Sequence, residues 1–363
     1  MRKEKVSGKT KNHDTEATFR KIMIKYNKYI KREGQCLLFI KESNFMNQNQ
    51  TGQTNAVVRA GMSTALAVVL SMIGLYVPVF SGIVFLLIPL PIAYLGMKQG
   101  VRWSVVVTGG VLILDSVFFG IISAAFLCAI FGVLGVVMGF CYKRKLSASK
   151  TLLLGAAMVL IALVGEGLAA LYLLGMPSLL FGGEAMDSVK GAMTEMLPSL
   201  YSGDQLAEAE KQVDVMVEAM KKSVPFTVCA AALFYSWASM TLGKVIFNRM
   251  GIHDIPQLPS LERWEFPRAF IFLYVAVLAV QYLLPAQETV SYIAYNAGSF
   301  CILFFWLQGV ATVWWMPHRY PILRAFRLLI IVLSLFIGMF QMGLVFLGMA
   351  DMGLNYRKKN HYE

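Results

Sequence analysis

Nine stretches of this chain are apolar for long enough, and bounded sharply enough by charge or turn residues, to be read as membrane helices. They cover 57–80, 82–97, 101–120, 121–142, 151–175, 224–247, 270–284, 289–315 and 322–349. The second run is short and carries Pro89-Leu90-Pro91, which removes backbone donors and predicts a kink. The fourth contains Gly132, Gly135 and Gly139, small residues that let helices approach closely. Between 176 and 223 the pattern changes to two amphipathic stretches, one around Met186, Val189, Met193, Met196 and Leu197, the other around Val213, Met216, Val217 and Met220. The pattern predicts an all-α, polytopic transmembrane helical bundle of eight or nine spans. Its sections are a basic polar tail (1–55), a first membrane half (56–175), an external amphipathic Met-rich segment (176–223), a second membrane half (224–350) and a basic C-terminal tail (351–363).

Composition supports the bilayer as solvent: 57% of the 363 residues are hydrophobic and only 15% charged. The net charge of +12 does not point to nucleic acid, because residues 1–45 alone hold 12 Lys/Arg against 5 Asp/Glu. The remaining excess clusters between apolar runs, as orientation by cytoplasmic Lys and Arg requires, which sets the N-terminus in the cytoplasm of a multi-pass cell-membrane protein. Residues 1–45 show no secretory signal pattern. They read either as a cytoplasmic tail or as a start assigned too early, with initiation near Met46 behind the purine-rich codons of Lys41-Glu42. Nine crossings from a cytoplasmic N-terminus would put the basic C-terminal tail outside, against the charge rule. Either the proline-containing second run or the glycine-broken last run stops short of crossing, or the tail is an exception.

Two acids stand inside apolar runs. Glu166 sits in Gly165-Glu166-Gly167, and Asp115 shares a helical face with Ser104 and Thr108. A charged carboxylate at membrane depth costs about 2.5–3.5 kcal/mol on insertion scales, so each should face protein or water, either contacting an ion, proton or substrate or bonding two helices together. Gly155, Ala162 and Ala169, on the Glu166 face, would let a neighbouring backbone approach. Tyr292, Tyr295, Asn296, Ser299 and Trp306 fall on one face of the eighth run, as a small-molecule wall or an aromatic packing seam. Gln281, Gln308 and Gln341 suit interhelical hydrogen bonds. The acidic balance of 176–223 suits an external loop, as a pair of interfacial helices or a lid over the membrane domain. Cys128, Cys141, Cys229 and Cys301 read as small buried residues. The four histidines lie outside the apolar runs, and no HExxH, Ser/His/Asp or paired-Cys spacing points to catalysis, a metal or a cofactor.

The segment 346–351, Phe-Leu-Gly-Met-Ala-Asp, followed by Asn355-Tyr356-Arg357-Lys358-Lys359, resembles the C-terminal signature of the YybS-like family of bacterial membrane proteins, a domain of unknown function (2232). Asn355 stands where that pattern has an acid. Leu75-Tyr76-Val77-Pro78 leading to 87–91, the Gly-rich fourth run ending in a basic turn, and Trp264-Glu265-Phe266-Pro267 before a span resemble the same family, over roughly 56–360. Its first half is similar to the substrate-capturing subunits of energy-coupling-factor vitamin transporters. That likeness implies a small molecule bound within the membrane and a separate ATPase or membrane partner subunit, since this chain has no GxxxxGK[ST] phosphate loop. Two functions follow as expectations: binding or transport of a small solute in a cavity lined by Glu166, Asp115 and the Tyr292/Asn296 face, or a non-transporting envelope scaffold that organises a membrane complex.

Overall fold

A computed structural model describes residues 54–173, 175, 183–283, 288–316, 323–354 and 357. Residues 1–53, with the question of initiation at Met46, and the tail beyond 357 lie outside them. Of the unit Met1–Met62 only the first turns of one helix are described; the packing below is within the unit Ser63–Glu363.

Every regular element among the described residues is helical. Among the described residues, seven helices are long and apolar enough to cross a bilayer, or eight if one sharply bent pair counts as a span. The first is α1 (Thr54–Tyr76), four residues short of the expected end at 80. The break falls at Val77 because proline, with its fixed φ and missing N–H, suits the first position of a helix, so Pro78 opens α2 (Pro78–Leu87). A step at Ile88 leads into α3 (Pro89–Gln99), and the two together form a span of 22 residues, longer than the sequence suggests. Gly100 (φ +111°) and Gly120 (φ +82°) then close tight turns on either side of α4 (Val101–Phe119), in backbone conformations that side-chain-bearing residues resist. The fourth span is α5 (Ile121–Leu127), a π-helical turn (Cys128–Gly132) and α6 (Val133–Lys143). Its glycines do bring backbones together: a Cβ at Gly139 would stand 3.0 Å from the Ala93 carbonyl and the Gly96 Cα of α3.

Ser147 opens α7 (Ala148–Tyr172) as its N-cap. Gly155 of α7 lies against Ser236, whose hydroxyl donates to the Leu152 carbonyl at 3.0 Å. After α8 (Gly183–Met196), the second amphipathic stretch and the sixth span prove to be one helix of 46 residues, α9 (Asp204–Arg249), with Pro225 inside it. The expected boundary at 223/224 is therefore not a chain break. The outer arm packs α8 on the first half of α9 through Met186, Val213 and Val217, with ion pairs Lys190–Asp214 (2.6 Å) and Lys221–Asp187 (2.7 Å). One core joins α3, α6, α7 and α9 through Leu90, Leu134, Met138, Val159 and Phe247. A second joins α10 (Ala269–Leu283), α11 (Glu288–Trp315) and α13 (Gly338–Leu354) through Cys301, Phe305, Val345 and Met352, with Tyr274 packed on it. There α11 and α13 cross on glycines: a Cβ at Gly309 would fall on the Leu344 carbonyl, and one at Gly348 on the Phe305 carbonyl.

The bent pair is α12 (Leu323–Phe336) and α13, whose apolar parts turn by 114° at Ile337. Four contacts establish which chain segments share a side. A Cβ on Gly100, at the α3–α4 turn, would lie 2.8 Å from Lys143 Nζ. Lys145 pairs with Asp254; the Phe266 amide donates to Gln308 Oε1 at 3.1 Å; Arg357 donates to the carbonyls of Glu262 (2.8 Å) and Trp264 (2.7 Å). The basic turns at 98–102 and 143–147, the 250–268 loop, the last turns of α11 and the end of α13 thus gather on one face. By length and composition the bent pair is a broken span or a re-entrant one, and α10, at 15 residues, is shorter than the seven spans. Arg357 lies against the 250–268 loop.

Candidate functional site

The face of α4 predicted from spacing points inward. Ser104 and Asp115 are wholly buried and Thr108 is half-buried. Ser104 donates its hydroxyl to the Ile92 carbonyl of α3 at 3.1 Å, and Thr108 donates to the Ser104 carbonyl at 3.0 Å. Thr108 also abuts the π turn, where its Cγ2 lies 2.7 Å from the place a Cβ would take on Gly132. Cys128, at the start of that turn, directs its sulfur toward the Thr108 carbonyl at 4.0 Å. A π turn widens the helix and redirects its side chains, and such turns gather at functional sites.

Asp115 sits beyond this cluster. At about 1.5 Å per residue it is roughly 21 Å along α4 from Val101, in the half of the bundle away from the basic face. Ser71 of α1 lies beside it, but the Ser71 hydroxyl donates to the Ala67 carbonyl at 3.1 Å. Apart from Ser71, whose hydroxyl is close enough to turn to the carboxylate, no donor serves either oxygen of Asp115, although the residue has no exposure. A buried carboxylate in this condition cannot remain an unpaired anion: it holds a proton or meets a cation or another donor.

Glu166 is half-buried on α7, about 27 Å from Ala148 by the same rise, and its Oε1 is also enclosed without a partner. The helices carrying the two acids share the π turn as a neighbour. The aromatic face lies elsewhere, because α11 packs chiefly on α9, α10 and α13. There Asn296 has a specific task. Pro225 lacks the N–H that an α-helix needs and crowds the turn before it, so the α9 ladder opens. The Phe226 amide donates to Asn296 Oδ1 at 3.0 Å, and Asn296 Nδ2 donates to the carbonyls of Lys222 and Tyr292, both at 2.9 Å. Asn296 thus staples the proline break to α11. Tyr292 is partly exposed beside it, the Tyr295 carbonyl accepts from Ser299 at 2.9 Å, and Trp306 Nε1 donates to Ser334 of α12 at 3.2 Å. The structure brings Tyr292 and Asn296 together but not with Asp115 or Glu166.

A second buried acid carries a network that spacing did not reveal as a site. Asp351 Oδ2 accepts from Gln308 Nε2 (2.6 Å) and from Arg357 Nε (2.8 Å), and Asp351 and Arg357 are each about 95% buried. With the Arg357 bonds to Glu262 and Trp264, and that of the Phe266 amide to Gln308, this knot ties α11, α13 and the 250–268 loop together. Its signal was present in the sequence as two separate pieces, the Asp351 and Arg357 signature and Trp264-Glu265-Phe266-Pro267; folding places them in contact. Gln308 is the interhelical glutamine expected, and Asp254 makes an exposed ion pair with Lys145.

Comparison with known proteins agrees with the resemblance in these motifs. The chain is 24% identical over 316 residues to the Bacillus subtilis (strain 168) "Uncharacterized protein YybS", covering 85% of this chain and 99% of that one. No solved structure matches. The family described as "Predicted membrane protein (DUF2232)" matches residues 65–352, from α1 through the Asp351 knot, and the chain belongs to that family.

Proposed function

We propose that this protein binds or transports a small solute or ion within the membrane, with Asp115 as the contact group. The observation that supports this reading is the enclosed Asp115 carboxylate, which has only the Ser71 hydroxyl within reach and lies near Cys128 of the π turn. An acid needed only for structure gains nothing from that arrangement, since the stable solution is to bond it, as Asp351 is bonded. A group that exchanges a proton or receives a cationic or hydrogen-bonding ligand needs an open valence. Glu166, at similar depth, would serve the same path from the far side of the π turn. The basic face would be cytoplasmic, with the N-terminus on that side. The chain has no phosphate loop, so active transport would draw on an ion gradient or a separate ATPase subunit, as the likeness to energy-coupling-factor substrate subunits implies. No catalytic role is proposed.

The outer arm favours a second reading, a scaffold. Leu200, Tyr201, Val215 and Met216 are exposed there, outside the apolar part of the bundle. The test is thermal stability of the detergent-solubilised protein against vitamins, nucleobases, amino acids and monovalent ions, because a ligand that binds only the native state raises its apparent stability. Solute binding predicts a stabilising compound whose effect vanishes in Asp115→Asn. A scaffold predicts no such compound, a stable partner recovered with the protein, and loss of that partner when Val215 and Met216 are made polar.

A further inference from the structure

The 250–268 loop folds back on α9 and closes a small cavity. Ile255 is buried in the core that α3, α6, α7 and α9 share, and Leu258 packs against it. Trp264 Nε1 donates to the Pro259 carbonyl at 3.1 Å, and the Trp264 ring meets Trp237 of α9 edge to face, with centroids 6.5 Å apart. Between loop and helix lie about 180 Å³, lined by Trp237, Met240, Thr241 and Lys244 of α9 and by residues 256–261 and Trp264 of the loop. Pockets that enclose a whole small molecule begin at about 300 Å³, so this one takes part of a ligand. Its walls are mostly aromatic and apolar, and Lys244 is the one charged side chain among the described residues that line it. Lys244 is half-buried, and among the described residues its side chain makes no ion pair or hydrogen bond. The neighbouring hydroxyls are committed: Thr241 donates to the Trp237 carbonyl at 2.8 Å, and Ser260 to Glu262 Oε1 at 3.3 Å, a carboxylate outside the lining.

Placement selects the ligand. Trp237 and Lys244 lie two turns apart on one face of α9, so at about 1.5 Å per residue the ring is roughly 10 Å deeper in the span than the cation. That is the order in which a phospholipid presents its chain and its phosphate, and Trp and Lys are the residues that anchor spans at this level. Thr241 between them is exposed, as are Val245 and Phe234, whose ring stands 6.1 Å from Trp237, so this side of α9 faces the bilayer. We infer that the cavity holds an anionic phospholipid from the leaflet on the basic face, its phosphate on Lys244 and the start of an acyl chain against Trp237 and Met240. The unpaired ammonium takes an anion, and the lining offers no acid to hold a choline or ethanolamine group, which favours a negative lipid over a zwitterionic one. The small volume leaves the rest of the lipid along α9, where its chains meet the bilayer. The site involves neither Asp115 nor the Asp351 knot.

The test uses the full-length protein in a neutral detergent, with bound ligand counted by native mass spectrometry as phosphatidylglycerol, phosphatidylcholine and glycerol 3-phosphate are titrated separately. The expected result is saturable binding of phosphatidylglycerol, with the other two at least about fivefold weaker. Lys244→Gln should weaken phosphatidylglycerol binding about fivefold, since one basic residue at an anionic lipid surface is worth roughly that factor, and Lys244→Arg should retain most of it. Lys150→Gln, which removes an exposed charge from the start of α7, should change binding less than about twofold. Gln257→Glu, at an exposed loop position, brings an anion into the same lining and should weaken binding as Lys244→Gln does; it decides the matter if Lys244→Gln does not fold. Equal affinity for phosphatidylcholine overturns the inference. Full affinity for glycerol 3-phosphate overturns it too, by making the ligand a soluble phosphate ester. Unchanged binding in Lys244→Gln or Gln257→Glu, or an equal loss in Lys150→Gln, would show only diffuse attraction to the basic face and overturns it as well.

Discussion

Asp115 and Asp351 are the same residue type, equally hidden, in two halves of one bundle, and they are treated in opposite ways. Asp351 spends one oxygen on a glutamine and an arginine, and the arginine spends its remaining donors on loop carbonyls. Asp115 has one hydroxyl beside it, Ser71, which gives its proton to the Ala67 carbonyl instead, as Ser104 and Thr108 farther along α4 give theirs to backbone carbonyls. The contrast separates two uses of a buried acid: one holds chain segments together, and the other keeps its valence open at a cost in stability. Conformational lock and ligand contact can thus be told apart by counting where each proton goes.

The largest test removes the lock. Arg357→Ala leaves the Asp351 charge buried without its counter-ion and frees two loop carbonyls, and should cost about 3–5 kcal/mol in reversible unfolding or a correspondingly large fall in Tm. Gly348→Leu attacks the same half through packing. Its side chain must displace the Phe305 backbone, at about 1–3 kcal/mol or more, read as a lower Tm with loss of an engineered α11–α13 cross-link. Asn296→Ala extends the class of committed polar groups to the Pro225 break, leaving the Lys222 carbonyl and Phe226 amide to find other partners, and should cost about 1–3 kcal/mol. Part of that loss should return in the double variant with Pro225→Ala, where α9 can restore its own ladder; additive effects in the thermal unfolding cycle would argue against the staple.

These tests fall on residues that the sequence exposes unequally. Apolar runs marked the helices because the bilayer demands length and hydrophobicity, and the 3.6-residue period put Ser104, Thr108 and Asp115 on the buried side correctly. Local signals failed where a partner came from far along the chain. Nothing near Asn296 announces that it completes the α9 ladder 70 residues earlier, and the carbonyl partners of Arg357 lie more than 90 residues upstream. Pro78 was misjudged because proline ends one helix and begins another with equal ease, and the amphipathic outer arm hid its continuity with the sixth span because polarity changes while the helix does not. The 114° bend at Ile337 has no local mark beyond the glycine that follows it.

The most direct measurement is the thermal unfolding of Asp115→Asn beside wild type, each with and without the best stabilising compound or ion. Replacing an unpartnered carboxylate by a neutral isostere should leave the free protein within about 0.5 kcal/mol of wild type or more stable, because no native bond is lost. The stabilisation given by the ligand should disappear. A free Asp115→Asn protein destabilised by several kcal/mol, as Arg357→Ala is expected to be, with ligand stabilisation intact, would show that Asp115 is a structural acid after all.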